Sequence, residues 1–99
     1  MTSRIQVDPA RVVDFCRKHA IRRLSLFGSV LRDDFRSDSD VDVLVEFEAG
    51  REPGLIGFAE MEQELSDLLG SKADLRTAED LSRYFRDRVI ATSEVLYAA

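Results

Sequence analysis

Ninety-nine residues, 44% of them hydrophobic, suit a single domain over 1–99 with a real core, and are too few for two. Fourteen Lys and Arg against 19 Asp and Glu leave a net charge of −5, which opposes adsorption to the nucleic-acid backbone and so disfavours direct nucleic-acid binding driven by bulk charge. No apolar run approaches the ~20 residues that span a bilayer, and the N-terminus lacks the basic-then-apolar layout of a secretory signal, so no membrane contact and a cytoplasmic location are expected.

Asp8-Pro9 reads as an N-cap with proline at the first helical position, and Val12, Val13, Cys16 and Ala20 recur at helical spacing. They predict a helix over about 9–19. Cys16 and His19, the only residues of their kinds, are expected to be packing or surface residues of that helix. A single cysteine permits no internal disulfide, and one histidine with one cysteine builds no metal cage, so any metal must be held by oxygen. Arg23 to Phe27 then reads as a short strand, with Leu24 and Leu26 alternating with Ser25, and it runs into a Gly28-Ser29 turn. Ser29 is placed to cap a short helix over 30–34, followed by a polar loop at 36–39.

The clearest strand is Val41 to Phe47. Val41, Val43, Val45 and Phe47 fall on one face, and Asp40, Asp42, Leu44 and Glu46 on the other. Gly50 to Gly57, with Pro53, reads as a loop. Phe58, Met61, Leu65, Leu68 and Leu69 then mark an amphipathic helix closed by Gly70. Ala73 to Arg76 reads as a short strand with Ala73 and Leu75 inward and Asp74 on the opposite side. A small acidic turn follows. Leu81, Phe85, Val89 and Ile90 then have helical offsets over a segment at 82–91, and Val95-Leu96-Tyr97 suggests a last strand.

Chemistry is concentrated in three places. Asp40 and Asp42, two apart on a strand, leave the same face with roughly 7 Å between their Cα atoms, and can converge on one cation that neutralises them. Taken alone, the pair equally describes the start of an exposed strand face. At Gly28-Ser29 a glycine lets backbone approach a phosphate, while Ser29 presents a hydroxyl and an amide at a helix N-terminus. As an isolated dipeptide this is an ordinary turn; its value lies in ending one strand just before the aspartates begin the next. Asp74 supplies a third carboxylate, able to complete a two-cation site or to take a proton from an attacking hydroxyl. By itself it is equally an exposed strand-end residue.

Taken together, Gly28-Ser29-Val-Leu-Arg32, Ser39-Asp40-Val41-Asp42 and Ala73-Asp74-Leu75-Arg76 resemble the polymerase-beta-like nucleotidyltransferases, and most closely their smallest branch, the MNT proteins. The resemblance covers nearly the whole chain. It implies an α/β (α+β) fold with a small mixed β-sheet flanked by helices, ATP as substrate with two Mg²⁺ ions, and transfer of a nucleoside monophosphate to a hydroxyl with release of pyrophosphate. It makes Asp40, Asp42 and Asp74 the catalytic carboxylates and metal ligands, and Gly28 and Ser29 the holders of the triphosphate. Arg32 matches an arginine that commonly follows the turn, but the glycine often found after it is here Asp33. A substrate contact by Arg32 therefore stands beside a helix-end ion pair with Asp33 or Asp34.

The MNT branch is similar to the antitoxin half of HEPN–MNT modules, whose separate HEPN partner is a ribonuclease toxin. Members are implicated in adding AMP to a tyrosine of that partner. A chain of 99 residues leaves little for a separate acceptor-binding domain, which suits an acceptor that arrives on another protein. Two alternatives stay open: an antitoxin that neutralises its partner by binding alone, and a nucleotidyltransferase acting on a small molecule.

Overall fold

The computed structural model describes residues 7–28 and 40–99. The first helix, α1, spans Pro9–Lys18. Its start follows from the local sequence: Asp8 Oδ1 accepts from the Ala10 amide at 3.0 Å, and Pro9 occupies a first-turn position where no amide is needed. Such a cap contributes about 1 kcal/mol. Arg17 and Lys18 in the last turn complement the helix dipole, and Val12, Phe15 and Cys16 form the buried stripe.

Strand β1 covers Ile21–Phe27, starting two residues earlier than the Leu24/Leu26 alternation suggests. The pairing register shifts between Ile21 and Arg23, so the strict period of two is broken where the strand begins and Ile21 cannot be read from it. Strand β2, Val41–Phe47, has the expected bounds and buries Val41, Val43, Val45 and Phe47. Leu44, on the other face, is also buried, because the segment after the third strand covers it in part.

Helix α2 spans Leu55–Leu69 and takes in Gly57, which the sequence places in the preceding loop. Its first turn closes through the Phe58 amide on the Gly54 carbonyl at 2.9 Å, leaving Leu55 and Ile56 exposed. Gly70 ends it as expected, in the left-handed region at φ 73°. Strand β3 is Ala73–Arg76, and a 3₁₀ turn follows at Ala78–Asp80. The helix expected over 82–91 is shorter: α3 spans Arg86–Thr92, and Phe85 and Ile90 are solvent-exposed rather than packed. Strand β4, Glu94–Ala98, contains the Val95-Leu96-Tyr97 segment. No described helix is long and apolar enough to cross a membrane.

The four strands form one sheet in the order β3-β2-β1-β4. β1 is antiparallel to both β2 and β4, and β2 is parallel to β3 through the α2 crossover, so the sheet is mixed, as the sequence implied. α1 and α2 pack on one face around Leu24, Leu26, Val41, Val43, Val45, Leu65, Leu69 and Leu75. The outer edge of β3 is also covered. Ser66 Oγ accepts from the Ala73 amide and Glu62 Oε2 from the Leu75 amide, both at 2.8 Å, so the edge donors meet α2 side chains instead of standing open. A strand of four residues is thereby held on both sides.

Candidate active site

The sheet brings Gly28, Asp42 and Asp74 to one end of its second face. Across β1 and β2, Phe27 stands opposite Asp42, so the Gly28 turn at the end of β1 lies beside the start of β2. Across β2 and β3, Asp42 is in register with Asp74, and the parallel pairing puts both on the same side of the sheet. Asp42 and Asp74 are half-buried, and Asp40 is exposed just ahead of β2. Ala73 and Leu75 are buried as expected, which turns Asp74 outward. Ser29, Arg32 and the short helix over 30–34 lie outside the described residues.

Gly28 is required here on two grounds. Its φ of 76° is in the left-handed region, and a Cβ at that position would collide with Asp42 Oδ2 and come within 3.1 Å of Asp42 Cγ. The Asp42 carboxylate therefore packs against bare backbone at the turn. The sequence pattern put glycine and aspartate near each other; that they touch comes from the strand pairing.

Arg76 is a member of this site to which the sequence reading assigned no role. Its guanidinium donates from Nε to Asp74 Oδ1 and from Nη2 to Asp74 Oδ2, both at 3.2 Å. These hydrogen bonds, followed by the Asp74 charge, hold the guanidinium above its ordinary range; burial opposes them, and the charges of Asp80 and Asp42 add less. A signal for it was present: residues two apart on a strand share a face, and Arg76 is two beyond Asp74.

Cys16 is fully buried in the core, and burial pushes its thiol up to about 12, which makes it unreactive. His19 sits at the end of α1 with Nε2 3.1 Å from Glu64 Oε1, on the opposite side of the sheet from the aspartates. Neither belongs to the site.

Carboxylate oxygens are hard donors suited to Mg²⁺ or Mn²⁺. Two observations fit the Asp42/Asp74 pair to such an ion. The two aspartates are in register on adjacent strands, and a guanidinium already stands as a cation on both oxygens of Asp74. Among the described residues no group of three His, Cys, Asp or Glu side chains is gathered closely enough to hold a metal. Mg²⁺ commonly binds through one or two carboxylates, with phosphate oxygens and water completing its shell.

The profile of the nucleotidyltransferase domain family matches residues 11–97. An assigned protein adenylyltransferase of Methanocaldococcus jannaschii is 31% identical over 80 residues, covering 81% of this chain and 84% of the relative. A solved structure assigned as a minimal nucleotidyltransferase superposes with a TM-score of 0.70 at 35% identity, covering 86% of this chain and 85% of that one. A toxin–antitoxin complex with AMP-PNP gives a TM-score of 0.72 at 22% identity over 94% of this chain and 75% of that one, a likeness of fold.

Proposed function

The chain belongs to the nucleotidyltransferase domain family, and from that premise we propose that it moves AMP from ATP to a hydroxyl of a partner protein, a HEPN-domain ribonuclease toxin, and so acts as its antitoxin. The observation that carries the reading is the register of Asp42 with Asp74 beside the Gly28 turn. Nucleotidyl transfer needs carboxylates for divalent cations and a backbone surface for a triphosphate within one small volume, and these residues supply both.

In this reading Gly28 and Ser29 hold the triphosphate through backbone and hydroxyl donors, with Arg32 as a further contact. Asp40 and Asp42 would hold one Mg²⁺ and Asp74 would complete the site for a second; bound there, the ions would supply neutralisation of phosphate charge and ease departure of pyrophosphate. The acceptor oxygen attacks the α-phosphorus, its proton passes to Asp74, and the bond to the bridging oxygen of pyrophosphate breaks. A tyrosine is the proposed acceptor. Three supports join here: the sequence resemblance to MNT antitoxins, the adenylyltransferase assignment of the M. jannaschii relative, and the nucleotide-bound toxin–antitoxin complex that shares the fold.

The test is to look for a HEPN-domain reading frame beside the gene of this chain and to weigh its product by mass spectrometry after incubation with the chain, ATP and Mg²⁺. A mass gain of one or more adenylyl groups, absent when EDTA is added, is the expected result. Asp74→Asn should keep much of the ATP affinity and lose transfer by a factor on the order of 10²–10⁴, the effect of removing a general base. An Asp74→Asn chain that transfers AMP at the wild-type rate overturns the role of Asp74. A partner neutralised without any mass gain means inhibition by binding alone, and transfer to a small acceptor in place of the protein makes the chain a small-molecule enzyme.

A further inference from the structure

Arg76 takes up both oxygens of Asp74, and it does so from the same strand, two residues away, where backbone geometry keeps the pair on one face. Asp74 is also the residue to which the proposed function gives a divalent cation. A guanidinium and a divalent cation on one carboxylate repel each other, and a bidentate guanidinium takes up a lone-pair site on each oxygen that an ion would use. The two compete for Asp74. The arginine side chain is 49% exposed, so it can swing into solvent without leaving a cavity, and α2 holds the β3 backbone in place through Ser66 and Glu62 whichever partner Asp74 has.

Resting on the metal-dependent reading of this site, we propose that Arg76 is a resident counter-ion of Asp74, a positioning residue that guards the third carboxylate and that a divalent cation must displace. It balances charge at an edge where Asp42 and Asp74 stand in register, and it makes loading of the cation at Asp74 a competition rather than a simple association. Displacement breaks the two guanidinium hydrogen bonds and frees both carboxylate oxygens; no covalent bond changes.

Mn²⁺ titration of the whole chain, followed by the electron paramagnetic resonance of the free ion, tests this without any turnover. Arg76→Gln should bind Mn²⁺ roughly two- to fivefold more tightly than wild type, the fold-change expected from releasing a partly exposed ion pair. Arg76→Lys, which keeps the charge but loses the bidentate fork, should fall between them. In an Asp74→Asn background, Arg76→Gln should change nothing; the same gain there would mean that any lost positive charge helps, and would overturn the inference. Unchanged or weaker binding in Arg76→Gln, with an unaltered melting curve, overturns it too. If that variant melts early, Arg76→Met serves in its place. Wild-type binding that is lost in Asp42→Asn but insensitive to position 76 refutes the guard and leaves the proposed function standing. Absence of Mn²⁺ binding in wild type and Arg76→Gln alike overturns the guard and leaves the proposed function standing, since there the ion arrives with the phosphates of the nucleotide, whereas binding only after Arg76→Gln supports the guard in its strongest form.

Discussion

The two faces of the sheet are made from alternate residues of the same strands, yet they do different work. Toward α1 and α2, β2 presents Val41, Val43, Val45 and Phe47, all buried, and the helices meet them with Val12, Phe15, Cys16, Met61 and Leu65. Away from the helices the same strand presents Asp42, Leu44 and Glu46, of which only Leu44 is buried. Burial of the first face stabilises the fold. The second face carries charges that a packed core would not tolerate, and it can do so because the first face alone supplies most of the apolar burial. The comparison teaches that on this chain stability and chemistry are separable by strand parity: a change at an odd position of β2 should cost folding, and a change at Asp42 should cost function.

The largest effects should come from exchanging those outcomes. Leu65→Ala removes a fully buried side chain from the α2 stripe and should cost about 2–5 kcal/mol, enough to lower the melting temperature markedly for a domain of this size. Asp42→Asn, of unchanged volume, should shift melting little and abolish metal-supported nucleotide binding; an early-melting Asp42→Asn with intact ATP affinity would break the division between faces.

Two glycines sharpen it further. Gly28 and Gly70 have nearly the same left-handed φ, 76° and 73°, so alanine imposes similar backbone strain at each, on the order of 1–2 kcal/mol. The surroundings differ: nothing lies within 4 Å of a Cβ at Gly70, whereas at Gly28 it would strike the Asp42 carboxylate. Gly28→Ala should therefore melt lower than Gly70→Ala and lose at least about tenfold in transfer, while Gly70→Ala keeps its activity. Equal melting and equal activity for the pair would mean that Asp42 moves aside at little cost.

The smallest effect belongs to the helix side. Burial raises the Glu64 carboxyl, but hydrogen bonds from His19 and Lys18 outweigh it and hold the group below its ordinary value. A carboxyl lowered in the folded state adds stability above its unfolded pKa, and that stability is lost as pH falls through the folded value. With Glu64 39% and Lys18 65% exposed, solvent screening limits the gain, and Glu64→Gln should cost no more than about 0.5 kcal/mol at pH 7. The difference from wild type in denaturant melts should shrink as pH drops below the ordinary carboxylate range, with no change in nucleotide affinity. A change in ATP binding would couple the two faces.

Much of this was legible in the amino-acid sequence, for definite reasons. Asp8-Pro9 announces α1 because capping is chemistry between neighbours in the chain, and Gly70 announces the end of α2 for the same reason. β2 could be bounded to the residue because four β-branched or aromatic side chains recur at every second position between Val41 and Phe47. What the sequence blurred lies where local signals are overridden. Ile21 is hidden behind a register shift, Gly57 is drawn into a helix despite its low propensity, and Phe85 and Ile90 have helical spacing yet stay only partly covered.

The candidate site divides along the same line. Residue types and their order along the chain, a Gly-Ser turn, an Asp-x-Asp and a later Asp, came from the sequence by itself, since each is a property of a short segment. Tertiary structure alone decided that Asp42 faces Asp74 across a parallel pair, that its carboxylate leans on Gly28, and that Glu62 and Ser66 of α2 hold the β3 edge. Strand order and register are set by contacts between segments far apart in the chain, where the burial of a shared apolar face selects one pairing, and no local periodicity encodes which strands those will be.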